Sequence, residues 1–261
     1  MESIPPFLVE KAAAIELEKA LPALVQRRVN ARQAAALCRR YRRIAVCRLL
    51  ATASPSDFLA WLAMSAQAFL HWLEGVPEEA KLGSLSDPFL DAVACDASDL
   101  AAGIARSAAA TWRAGEEYED DFLYFRFLMS HFGLPPDAKE TLPLLERYEA
   151  LAGGNDPRTD VCRALFARDQ KRFDEGIEAL VQHWQEKTRE ADERGMLSPD
   201  DAATTAHVSV ELLALLRLAK AAGLATGVDH PLAPSLGRRT DRFRPPAPDA
   251  WRTFPSYRTL T

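Results

Sequence analysis

The densest set of side chains able to do chemistry is an acidic run: Glu116, Glu117, Glu119, Asp120 and Asp121, interrupted only by Tyr118. Carboxylates this close together can complement the positive end of a helix, gather round a divalent cation, or meet a basic partner. The residues that follow bear on the choice. Phe122, Phe125, Met129 and Phe132 recur at helical spacing, and Leu123, Phe127 and Leu128 add apolar surface on other sides. That pattern predicts a nearly surrounded helix over about Glu116–Phe132, with only its acidic start reaching solvent. The acids then serve the helix dipole or a partner.

A metal-dependent use of the same run is disfavoured. Asp120-Asp121-Phe122-Leu123-Tyr124 brushes against the aspartate-rich magnesium motif of isoprenoid-cyclising enzymes, but its fifth position should be acidic and is Tyr124. In the would-be partner segment, Asn155-Asp156-Pro157-Arg158-Thr159, the expected distal acid is Arg163. The histidines (His71, His131, His183, His207 and His230) are scattered, with neither H-E-x-x-H nor E-x-x-H. His207 and Glu211 share an i, i+4 spacing that reads as a helix-surface pair. Cys38, Cys47, Cys95 and Cys162 are far apart and read as small buried hydrophobes. There is no nucleophile elbow, Walker A loop or dinucleotide fingerprint. No residue is assigned a catalytic role, and no metal or cofactor is expected.

Eight arginines between Arg27 and Arg48 (Arg27, Arg28, Arg32, Arg39, Arg40, Arg42, Arg43 and Arg48) occur without an acid among them. A groove for phosphates is one use of such a run. Pairing with acidic segments such as 116–121, or solvation, is the other. Tyr41 is the lone interleaved aromatic and the chain carries a net charge of -5, which favours the second use. Arg238, Arg239, Arg242 and Arg244 read the same way.

These side chains must be positioned by helices. Among 261 residues there are 45 Ala but only 11 Val and 5 Ile, a balance that favours helix over strand. Proline, glycine and capping residues predict helices over about Phe7–Arg28 (with Pro22 a kink or a division), Asn30–Ala53, Asp57–Glu74, Asp96 or Ser98 to Ala114, Pro136–Ala152, Pro157–Arg168, Gln170–Arg194 and Ser198–Gly223. The stretch from Gly75 to Pro88 reads as looser chain. Three junctions look alike: Leu49-Leu50-Ala51 before Asp57-Phe58, Ala108-Ala109-Ala110 before Tyr118-Glu119, and Ala164-Leu165-Phe166 before Phe173-Asp174. The expectation is an all-α array of antiparallel helical hairpins, repeat-like, in one domain over 1–230. Residues 231–261 form a Pro- and Arg-rich tail lying along the body. The start lacks a secretory signal, and the most apolar stretch, Phe58–Leu73, falls short of the roughly 20 residues a membrane span needs. A cytoplasmic protein that neither enters a membrane nor binds nucleic acid is expected.

Three stretches carry a family likeness. They are Glu117-Tyr118-Glu119-Asp120-Asp121-Phe122-Leu123-Tyr124; Ala164-Leu165-Phe166-Ala167-Arg168-Asp169 with Phe173 and Ile177-Glu178-Ala179-Leu180-Val181-Gln182-His183-Trp184; and His207–Ala219 before Gly223-Leu224. Over roughly residues 100–235 the chain resembles the bacterial immunity protein 49 family. The resemblance implies an all-helical protein that binds and blocks a polymorphic toxin and performs no chemistry itself; it transfers no binding residue. On the charge argument, Glu116, Glu117, Glu119, Asp120 and Asp121 are the candidate toxin-binding residues, an acidic surface that would cover the toxin's active site or substrate groove. The alternative is a helical-repeat scaffold or regulator that binds a peptide or small ligand.

Overall fold

The computed structural model describes residues 4–253 except 136, 137, 228 and 242, and leaves the Ala138 side chain undescribed. The elements are α1 (Pro6–Val25), α2 (Ala31–Thr52), α3 (Pro55–Leu73), α4 (Asp87–Ala94), α5 (Ser98–Ser107), α6 (Glu119–Leu128), α7 (Ala138–Ala152), α8 (Pro157–Ala167), α9 (Gln170–Glu193), α10 (Pro199–Ala202) and α11 (Val210–Ala221). No strand occurs among the described residues; a single isolated bridge joins His230 and Ala233. The protein is all-α. No helix among the described residues is long and apolar enough to cross a membrane.

Several helix starts follow side chains that satisfy free N–H groups, whereas α1, α4, α5 and α6 begin without a side-chain cap. Asn30 and Gln33 form a reciprocal capping box at α2, Ser54 caps α3, Asp156 caps α8, Asp169 caps α9 and Ser209 caps α11. Pro22 does not divide α1, which runs through it and ends three residues later.

Four expectations change. α4 starts at the end of the stretch expected to be looser and continues through residues 89–94, where no element was expected; it is almost wholly buried, Asp91 included. α5 stops at Ser107 because Ala108 turns extended, so residues 108–114 are not helical. The acidic helix begins at Glu119, three residues late, since Gly115 takes φ 79° and Glu116 and Glu117 turn back onto the Arg113 carbonyl. The last expected helix is two, α10 and α11, separated by turns. His207 therefore lies before the α11 cap and makes no helical pair with Glu211. The expected helix start at Pro136 lies outside the described residues, as do Arg242 and the end of the tail.

α2 packs between α1 and α3, and α8 against α9, as successive hairpins. α11 instead packs on α4, a contact between distant parts of the chain that successive hairpins do not supply. Of the three similar junctions, the first and third are tight helix–helix turns, while the middle one is the irregular segment between α5 and α6. The core is aromatic at its centre, with Tyr41, Phe58, Trp72, Phe89, Tyr124 and Phe127 fully buried. Trp251 is buried against α2 and α3: the Tyr41 hydroxyl donates to its carbonyl, and its ring lies 5.0 Å from that of His71.

The arginine run on α2 is a set of clamps. Arg40 pairs with Glu16 and Arg48 with Glu10 on α1, each at 2.6 Å. Arg43 reaches Asp200 and Asp201 on α10, each at 3.0 Å. Arg42 holds the buried Asp91 of α4 at 2.6 Å, and Asp91 in turn accepts from the Ser65 hydroxyl. With the charge of Asp91 paired and hydrogen-bonded, its burial is affordable. Arg32 donates to the Glu116 carbonyl, the one link from this run to the acidic segment among the described residues. All four cysteines are free and buried; burial pushes the Cys47 and Cys95 thiols up to about 12, so they behave as hydrophobes.

Candidate functional site: an acidic groove with an aromatic rim

The acidic run divides into two parts with different jobs. The Glu117 carboxylate accepts from the backbone N–H groups of Ser84 (2.7 Å) and Arg113 (3.1 Å), and Glu116 pairs with Arg113 at 2.6 Å. These two acids fix the turn that delivers α6. Gly83 completes the fit, because a Cβ there would stand 2.5 Å from the Phe122 ring. Tyr118, in extended backbone, then starts α6 with Glu119, Asp120 and Asp121 in its first turn, where they complement the helix dipole.

Those three acids and Tyr118 line a groove of about 810 Å³. Its other walls come from the end of α7 (Leu151), the start of α8 (Asp156 and Arg158), α9 (His183, Trp184 and Lys187) and α11 (Glu211). A smaller cleft of about 340 Å³ adjoins it, sharing Asp121, Arg158, Trp184 and Glu211 and adding Arg42 and Asp87.

Arg158 is the hub of the groove floor. It holds Asp156 at 2.7 Å and Asp121 at 3.0 Å, and its guanidinium carbon sits 4.7 Å from the Tyr124 ring centre. Tyr148 donates to Asp156 at 2.6 Å. Burial alone would raise the Asp156 carboxyl, but the hydrogen bonds and charge of Arg158 bring it below the usual carboxylate range. Asp121 is left above that range by burial, with Arg158 only partly offsetting it. Glu211 is also held above its ordinary value by burial, against the charge of Arg158. Its carboxylate accepts from the Trp184 indole at 3.0 Å and has no ion-pair partner within salt-bridge distance among the described residues.

Glu119 pairs with Arg147 at 2.6 Å, whereas Asp120 and Lys187 have no ion pair among the described residues. The groove lining thus holds five carboxylates against Arg158 and Lys187. Its rim is apolar and wet at once. Tyr118 is 77% exposed, Leu151 49% and Trp184 39%, and all three belong to this groove. Exposed large apolar side chains that gather on one concave surface mark an interaction site more than scattered ones do.

No three histidine, cysteine or carboxylate side chains among the described residues converge as a metal site would need. What the arrangement can do chemically is bind: a negative floor, a fixed internal cation and two exposed aromatics.

A family model described as immunity protein 49 matches residues 22–236. The chain belongs to the immunity protein 49 family. The match takes in the arginine clamps of α2 and every residue of the groove. Membership in an immunity family points in general to a toxin as partner and to protection as the role. No curated protein and no solved structure gives a significant match.

Of the five candidate residues, the structure brings Glu119, Asp120 and Asp121 into the groove and turns Glu116 and Glu117 to structural work. Sequence reasoning missed Asp156, Arg158, Trp184 and Glu211. Two of them carried a signal. Glu211 is the one acid in the apolar run Val208–Leu216, and Trp184 closes the amphipathic stretch Ile177–Trp184 on an otherwise charged helix.

Proposed function

We propose that this member of the immunity protein 49 family neutralises its cognate toxin by seating a basic surface of the toxin in the acidic groove, so that the toxin's active site or substrate groove is covered. The carrying observation is the coincidence of the aromatic rim (Tyr118, Leu151, Trp184) with the acidic floor (Glu119, Asp120, Asp121, Asp156, Glu211). Aromatic anchors beside desolvated charge are the usual seat of binding energy, and an excess of one charge steers an opposite partner into place. An acidic groove also stands in for the phosphate chain that a toxin acting on nucleic acid would hold. In this reading the protein performs no chemistry and acts in the cytoplasm.

The test is co-expression with the product of the neighbouring gene as the toxin. The wild type rescues growth and co-purifies. Asp120→Lys with Trp184→Ala abolishes both while the protein stays folded, and Glu178→Lys outside the groove leaves both intact. Full rescue by the groove double variant would move the interface elsewhere.

A further inference from the structure

The groove floor is short of cation, for Lys187, the other cation of the lining, makes no ion pair with it among the described residues. Asp121 and Asp156 share one arginine, Arg158, and Glu211 feels that same charge without touching it. Beneath Glu211 lies a second incomplete group. The Tyr124 side chain is 0% exposed, and its hydroxyl faces the Glu211 carboxylate without closing a hydrogen bond of normal geometry to any described residue. The hydroxyl favours the charged form of the carboxylate it faces, so what the pair lacks is a cation: Glu211 has an indole and a phenol beside it and no ion pair among the described residues. Beside them stands the half-exposed Trp184, its indole N–H given to Glu211 and so held in place.

Resting on the docking reading above, we infer that the space between Trp184, Glu211 and Asp121 is a receptor for one guanidinium group, an arginine side chain presented by the partner protein. A guanidinium fits better than an ammonium on three counts. It is planar and can lie on the Trp184 face, it can meet Glu211 and Asp121 through two N–H groups at once, and it loses less hydration on entering a half-buried site. A divalent metal fits poorly, because no three ligating side chains converge there. Arg158 cannot fill the place itself: its guanidinium is committed to Asp156, Asp121 and the Tyr124 face. Nor does the adjacent cleft supply the charge, since Arg42 is held by Asp91 and the Asp87 carbonyl. The arriving arginine would bring Glu211 the ion pair it lacks.

The experiment uses the full chain and small probes. The Nα-acetylated amides of L-arginine, L-lysine and L-citrulline, the last an isostere with an uncharged side chain, are titrated while the Trp184 indole N–H resonance, assigned with Trp184→Phe, is followed. The inference predicts that arginine amide shifts this resonance saturably, that lysine amide binds roughly tenfold more weakly, and that citrulline amide does not bind. Glu211→Gln, which keeps the shape, weakens arginine amide by roughly tenfold or more, whereas Glu178→Gln does not. Equal binding of arginine and lysine amides, or no shift with arginine amide, overturns the guanidinium receptor. If the toxin still needs Asp120 and Trp184 but not Glu211, the receptor falls and the docking groove stands; if the toxin needs none of them, both fall.

Discussion

Ionised Glu211 is a cost the fold carries at neutral pH, because burial raises its carboxyl more than Arg158 lowers it. The folded state therefore holds this proton more tightly than the unfolded chain, and stability is lost as pH rises from the unfolded value of about 4.3 through the raised folded one. Asp121 shifts in the same direction, and Asp156 in the opposite one. Glu211→Gln removes the Glu211 contribution alone. We predict that its melting temperature exceeds that of the wild type at pH 7 and that the gap narrows as pH falls toward 4.3. A gap that stays constant across that range would show that Glu211 is not strained by burial. Little of this was readable from one residue's neighbours in sequence. Asp121, Asp156 and Glu211 are 35 and 55 residues apart along the chain, and Arg158 joins the first two only because α6 and α8 pack side by side.

Elements explain why an acidic run that looks uniform is not. Gly115 at positive φ reverses the chain just before it, so Glu116 and Glu117 fall in a turn and α6 begins only at Glu119. Glu117 then serves as a staple between the turn at Ser84 and the chain at Arg113. Glu117→Gln replaces one accepting oxygen with a donor and leaves a backbone N–H unpaired, so it should cost about 1–3 kcal/mol of stability. Asp120→Asn, on a side chain without an ion pair, should stay within about 0.5 kcal/mol. Chemical denaturation of the two variants checks this, and equal losses would refute the division of labour. Punctuation by proline, glycine and caps located most helices, because those residues act locally. α4 escaped because its Asp87-Pro88 start resembles a turn and its buried Asp91 breaks the apolar pattern; Arg42 of α2 and Ser65 of α3 together make that aspartate tolerable inside.

On the scale of the molecule, the arginine clamps and the groove are two uses of one charge supply. The α2 arginines spend themselves on Glu10, Glu16, Asp91, Asp200 and Asp201, fixing α1, α4 and α10 around it. The acids gathered by α6, α8 and α11 keep a net negative floor facing outward. The all-helical class was legible from composition, since Ala outnumbers the β-branched residues that strands prefer. The groove was not, because it depends on bringing the α7–α8 junction, α9 and α11 to the start of α6. If the partner sits in this groove, amide hydrogen exchange of the complex with the cognate toxin will show it. New protection is expected to concentrate in residues 118–121, 151–158 and 180–188. Protection confined to α1 and α5, with those three segments exchanging as in the free protein, would contradict it.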